Sequence, residues 1–241
     1  MKTEGGSREA KRRAGERAAE EIDDGDVVGL GTGSTAAHAI RAIGRAVDDG
    51  LTVRGIPTSF QSRQLALEVG IPLSCLDAVG RIDIAIDGAD QIADDPDASG
   101  FGALVKGGGG AQTREKLVDS AADRFVVVAD PSKLSETLEQ SVPLEVLPDA
   151  HALVADEIRR IGGEPTLRDA THKDGPVVTD NGNLLLDCAF GEIDAPDELA
   201  TRLSSVPGVV EHGLFVGMAD AAYVGTDEGS RCGSTETVPD G

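Results

Sequence analysis

Between Arg8 and Ile22 a small apolar residue returns at every fourth position (Ala10, Ala14, Ala18, Ile22) with charges between, the spacing of an amphipathic helix, and Ser7 stands at a suitable cap position. Gly25 ends that run. VVGLG (Val27 to Gly31) reads as a short apolar strand and AAHAIRAIGRAV after it as a helix, so the two make a β-loop-α unit. Further strands are predicted at Thr52 to Ile56, Ile82 to Asp87, Ala103 to Val105 and Phe125 to Asp130, with helices near Gln61 to Val69 and Thr113 to Ala121. This alternation predicts an α/β fold, a mostly parallel sheet covered by helices.

Beyond Pro131 the rhythm changes. PLEVL reads as a strand, HALVADEIRRIGG as a helix ending in glycines, NLLLDCAF as a strand after the turn DNGN, and Pro196 to Leu203 as a helix. These short elements predict a smaller α+β domain over residues 138–211, beside a larger one formed by residues 1–137 with 212–226. GLFVGM and AAYVG read as strands returning to the main sheet. Residues 227–241 are polar and Gly-rich and are expected to form a flexible tail. There is no internal repeat.

Composition narrows the picture. The chain has 241 residues, of which 39% are hydrophobic and only 2% aromatic, so its core must be built from Val, Ile, Leu and Ala, as suits a buried parallel sheet. A formal charge of −21 argues against nucleic acid and anionic membranes as partners, since both require basic patches. Acidic residues spread along the chain, with Arg favoured over Lys, suit a cytoplasm of molar salt, although an ordinary acidic protein would look similar. No segment has the roughly 20 apolar residues of a membrane span, and MKTEGGSREAKRR lacks a secretory apolar run, so a cytoplasmic location is expected. Cys75, Cys188 and Cys232 fit neither a disulfide framework nor a zinc site, and His38, His151, His172 and His212 lack ligand spacing; no metal is expected.

Polar and glycine-rich clusters follow the predicted strands one after another, where open α/β sheets place their ligands. GTGST (Gly31 to Thr35) runs into a helix and could cradle a phosphate on backbone amides and hydroxyls; a tight turn with a Ser/Thr cap is the simpler alternative. Nucleotide-binding glycine patterns fit it poorly. DGAD (Asp87 to Asp90) sets two carboxylates at a strand end, able to orient sugar hydroxyls or, more plainly, to cap a turn. KGGGG (Lys106 to Gly110) carries a heavy entropic cost unless something must approach the backbone, and Glu115 opens the next helix, where a first-turn Glu is also common for dipole reasons. Lys11, Lys106 and Lys133 place half of the chain's lysines at candidate anion positions.

Together GLGTGST, DGAD, KGGGG with TREK, and the strand ending ADPSK resemble the ribose-5-phosphate isomerase A family in order and spacing, and VVTDNGNLLLD and PGVVEHGLF extend the match to about Thr226. The resemblance implies a Rossmann-like mostly parallel sheet with a second, smaller ferredoxin-like α+β domain, and a homodimer or homotetramer. It also implies the cofactor-free interconversion of ribose 5-phosphate and ribulose 5-phosphate in the non-oxidative pentose phosphate pathway. At matching positions it makes Glu115 the base, with Asp87 and Lys106 catalytic, and lines the substrate site with Thr32, Gly33, Ser34, Thr35, Asp87, Gly88, Ala89, Asp90, Lys106, Gly107, Gly108, Gly109, Lys133 and Lys11. Gln91 stands where the family usually has Glu, Gly110 where it has Ala, and PTSFQS replaces a Ser-rich loop. Two other classes fit the chain less well. A sugar-phosphate-sensing regulator would need a basic recognition helix, which the acidic chain does not offer. A CoA transferase would use a Glu nucleophile and form a thioester.

Overall fold

The computed structural model describes residues 6–93, 102–226 and 229–234. Helix α1 (Arg8–Ala19) is followed by β1 (Val27–Leu30), α2 (Ala36–Asp48), β2 (Arg54–Pro57), α3 (Phe60–Glu68) and β3 (Ile82–Gly88). Next come β4 (Gln91–Ala93), β5 (Ala103–Val105), α4 (Gln112–Ser120), β6 (Ala122–Ala129) and the two-residue β7 (Leu134–Ser135). Then β8 (Val142–Val146), α5 (His151–Arg160), β9 (Glu164–Leu167), β10 (Leu184–Ala189), α6 (Pro196–Ser204) and β11 (Val209–His212) form a βαββαβ series. Finally β12 (Leu214–Val216), β13 (Ala221–Gly225) and β14 (Ser230–Ser234) complete the described elements.

The main sheet has the order β14-β13-β6-β3-β1-β2, and its five strands from β13 to β2 are parallel. Crossover helices cover such a sheet, which explains the continuous apolar runs of VVGL and FVVVA and the buried Ile84 to Ile86 of β3. The second sheet, β11-β8-β10-β9, is antiparallel throughout and has the 4-1-3-2 order of a ferredoxin-like βαββαβ unit. Its apolar face packs beneath α5 and α6, through Val154, Ile158 and Leu203.

Three expectations require correction. Ala103–Val105 is not a strand of the main sheet: it lies in a third sheet, β12-β5-β4-β7, paired antiparallel with β4 and β12. Leu214–Val216 also joins this sheet, so only AAYVG returns to the main one, beside β6. These strands are only three residues long and their pairing is fixed by sequence-remote partners, which local periodicity cannot reveal. The expected flexible tail is in part β14, which pairs along the whole of β13 and covers what would otherwise be an open sheet edge. The rest of that expectation, residues 227–228 and 235–241, lies outside the described residues.

Helix α1 begins as its sequence suggests, with the Ser7 hydroxyl accepting from the Ala10 amide at 3.0 Å. Its small residues allow a close approach to the sheet: a Cβ at Gly225 would stand 1.9 Å from the Ala10 carbonyl oxygen. At its far end the Tyr223 hydroxyl donates to Glu21, and the Arg17 guanidinium lies 5.0 Å from the Tyr223 ring centre. This docking carries Lys11 to the carboxyl edge of the parallel strands. No helix among the described residues is long and apolar enough to cross a membrane.

Candidate active site

The loops after β1, β3 and β6 leave the carboxyl edge of the main sheet, while the glycine run arrives from β5 of the third sheet. They border an open cleft lined by Lys11, Thr32 to Thr35, Gly88 to Asp90, Lys106 to Gly109, Glu115 and Lys133. Of the residues expected at the site, Asp87 alone does not line it. Asp87 is fully buried beneath the floor, where its Oδ1 accepts from the amides of Thr32 (2.9 Å) and Gly88 (2.6 Å).

Lys106 is buried at the end of β5, between the rings of Phe215 and Phe125, whose centres lie 5.3 and 6.0 Å from its Nζ. Its ammonium donates to the Gly88 carbonyl and lies 3.0 Å from Asp87 Oδ2, 3.6 Å from Glu115 Oε2 and 3.9 Å from Asp119 Oδ2. Burial works against the lysine's charge, but the three carboxylates outweigh it and hold its pKa above the ordinary lysine value.

The carboxylates respond in the opposite sense. Burial pushes Glu115 up to about 8, against the pull of Lys106 and with Asp87 and Asp90 adding to the rise. Asp119 is raised well above the usual range, by burial first and then by Asp87, and neither of its oxygens has a hydrogen-bond partner. Asp87 is also raised by burial, opposed by Lys106 and by its two amide donors. One cation cannot balance three buried anions, so the cluster holds extra protons and titrates as a unit. Asp87 is the carboxylate nearest to the Lys106 ammonium, and burial favours the protonated forms of Asp119 and Glu115.

The opposite end of the cleft suits an anion. The Ala37 amide is the first to bond back into α2, reaching Gly33, so the amides of Ser34, Thr35 and Ala36 begin the turn without an intrahelical acceptor. Lys11 lies 3.9 Å from Asp130, and Lys133 sits in the following turn. Thr32 braces this loop: its amide goes to Asp87, and its hydroxyl shares hydrogen bonds with Thr58 (2.8 Å) and Ser59 (2.6 Å).

Between the two ends, Asp90 Oδ2 accepts from the Gly108 amide at 2.6 Å. This contact explains a glycine, since a Cβ on residue 108 would stand 2.6 Å from Asp90 Oδ1. Gly110, where the resemblance led one to expect Ala, has φ +76°, a conformation that glycine adopts without strain. Gln91 accepts from the amides of Glu139 and Gln140 and so ties down the segment that in turn bonds the Asp90 carbonyl through Gln140.

Some residues that shape the site were not read from the sequence. Asp119 lies one helical turn beyond Glu115, and the i, i+4 spacing within TREKLVDS was the available signal, masked by the abundance of acidic residues. Glu145, buried on β8, takes hydrogen bonds from Thr113, Thr179, Asn181 and Asn183 and so fixes the first turn of α4 two residues before Glu115. Arg168, just past β9, reaches the carbonyls of the glycine run, and no local pattern announces it. Among the described residues no group of His, Cys, Asp and Glu has a metal-binding arrangement.

Known proteins of one family are similar to this chain in sequence and fold. The family described as ribose 5-phosphate isomerase A (phosphoriboisomerase A) matches residues 54–229. A ribose-5-phosphate isomerase A from Halorubrum lacusprofundi is 66% identical over 236 residues, covering 96% of this chain and 98% of the relative. One from Haloarcula marismortui is 61% identical, covering 94% and 96%. Among solved structures, ribose 5-phosphate isomerase A from Methanocaldococcus jannaschii superposes with a TM-score of 0.87 at 43% identity, covering 93% of this chain and 98% of that one. A D-ribose-5-phosphate isomerase in complex with phospho-erythronic acid gives 0.88 at 40%, covering 94% and 98%. By sequence, fold and relatives alike, the chain belongs to the ribose 5-phosphate isomerase A family.

Proposed function

We propose that this chain interconverts ribose 5-phosphate and ribulose 5-phosphate by proton transfer, with Glu115 as the base. The observation that carries the reading is the placement of the Glu115 carboxylate, 3.6 Å from the Lys106 ammonium, in the same cleft as the open amides of residues 34–36. The phosphate binds those amides with Lys11 and Lys133, and this remote anchorage positions the open-chain sugar. Ionised Glu115 takes the proton from C2; the C–H electron pair becomes the C1=C2 bond of a cis-enediolate, and charge moves to O1. Lys106 and an amide of the glycine run stabilise that oxygen. Glu115 then returns the proton to C1 on the same face, while Asp90 relays the hydroxyl proton between O2 and O1. Asp87 keeps Lys106 charged from below. These proton transfers call for no cofactor.

The test is a turnover assay with ribose 5-phosphate in deuterated water, in which deuterium should enter C1 of the ketose. A chain that neither forms ribulose 5-phosphate nor exchanges C2 hydrogen is not this isomerase.

The relatives from halophilic archaea support a salt-adapted, cytoplasmic enzyme, and the family resemblance supports a homodimer or homotetramer. The 4-1-3-2 antiparallel sheet supports reading residues 138–211 as a second domain beside 1–137 with 212–226.

A further inference from the structure

The glycine run that ends at α4 is gripped from the second sheet. Arg168 follows β9, and the edge of its guanidinium is held in a two-pronged grip by Asp187 of the neighbouring β10: Nε donates to Oδ2 at 2.8 Å and Nη2 donates to Oδ1. The remaining nitrogen, Nη1, donates to the carbonyl oxygens of Gly107 and Gly108, each at 3.2 Å. Four acceptor atoms on two sides of one side chain match the rigid fork of an arginine, and a lysine could not span them.

A trans peptide points its C=O and N–H in opposite directions. Fixing the Gly107 carbonyl therefore turns the Gly108 amide away from Arg168, onto Asp90 Oδ2 at 2.6 Å. Fixing the Gly108 carbonyl turns the Gly109 amide the same way. Gly109 lines the cleft and Arg168 does not. The Gly107 carbonyl also accepts from the Gly110 amide at 2.9 Å, so the arginine weighs most on the Gly108 carbonyl, where a peptide flip, easy in a run of glycines, would present a carbonyl in place of the Gly109 donor.

We propose that Arg168, clamped by Asp187, is a positioning residue for the isomerisation: it sets the two glycine peptides so that one amide orients Asp90 and the other, on Gly109, donates to the enediolate oxygen. The inference rests on the isomerase reading given above.

The experiment compares wild type with Arg168→Gln, Arg168→Lys and Asp187→Asn for kcat, KM, unfolding midpoint and inhibition by two probes. One probe is a four-carbon phosphorylated hydroxamate, planar and anionic like the enediolate; the other is ribitol 5-phosphate, which has the phosphate and hydroxyls but no developing charge. Both Arg168 variants should lose about 100-fold in kcat and in hydroxamate affinity, the cost of one oxyanion donor, while KM and ribitol 5-phosphate affinity change less than about threefold. Asp187→Asn, which loosens the arginine without removing it, should lose about tenfold in the same two quantities. Retention of kcat within about threefold in the folded Arg168 variants, or equal loss of both probes, overturns the proposal. If Arg168→Gln does not fold, Asp187→Asn decides by the same split. A wild-type chain without turnover defeats the isomerase reading itself, an outcome distinct from an active wild type with active Arg168 variants.

Discussion

Replacing Glu115 by Gln should remove activity and at the same time stabilise the protein in a pH-dependent way. In the folded chain this carboxyl titrates at about 8, because burial outweighs the attraction of Lys106, whereas its ordinary value is 4.5. A group whose folded pKa is raised contributes its full stability below 4.5 and loses it progressively as pH climbs towards 8. At 1.36 kcal/mol per pKa unit, the wild type forfeits about 3 kcal/mol at pH 7 and about 4 kcal/mol by pH 8. Gln has nearly the same volume and no charge, and Lys106 keeps Asp87 at 3.0 Å, so the variant escapes this loss without orphaning the lysine. Urea unfolding of both proteins at fixed molar KCl should give curves of stability against pH that meet near pH 4.5 and diverge in favour of the variant by pH 8. Turnover of ribose 5-phosphate should fall by about 10³-fold or more, in the range of a lost general base. A stability difference that stays flat with pH, or a variant less stable at pH 8, refutes the claim that the carboxyl is held protonated by burial.

Since only the ionised carboxylate can take a proton, kcat/KM should climb with pH to a midpoint of about 8 and then level off, and Asp119→Asn should leave that midpoint in place, because burial favours the uncharged form that Asn mimics. A wild-type midpoint below about pH 6 would contradict the cluster's assigned protonation. Gly108→Ala would set a Cβ 2.6 Å from Asp90 Oδ1. It should lower kcat/KM by about 100-fold through displacement of Asp90, and a loss under about threefold in steady-state kinetics would show that the contact is dispensable.

What the sequence made legible had local causes. Ala10, Ala14 and Ala18 mark one helix face by spacing alone, FVVVA announces a strand covered on both sides, and four successive glycines demand an explanation wherever they fall. The anion loop and the glycine run could be found because glycine, serine and lysine are unusual after strands in so acidic a chain. The rest depended on contacts between distant segments. Gln91–Ala93 and Ala103–Val105 are too short to show a period, and they exist as strands because they pair with each other and with β12. Arg168 is 60 residues from the carbonyl of Gly108, and Glu145 is 32 from Thr113. Asp87 was recognised as a site residue, but its place under the floor follows from the Thr32 and Gly88 amides closing over it, a three-dimensional event.

The pairing of Tyr223 with Glu21 turns a sparse composition into an experimental handle. The chain has one tyrosine and no tryptophan, so its intrinsic ultraviolet emission arises at one address, the seam where the amino-terminal helix rests on β13. A hydrogen bond to a carboxylate quenches phenol emission, and release of the helix brightens it. A fluorimeter therefore watches one event in this molecule, the undocking of the segment that brings Lys11 to the cleft, while melting of the second sheet passes unseen and needs circular dichroism to be recorded.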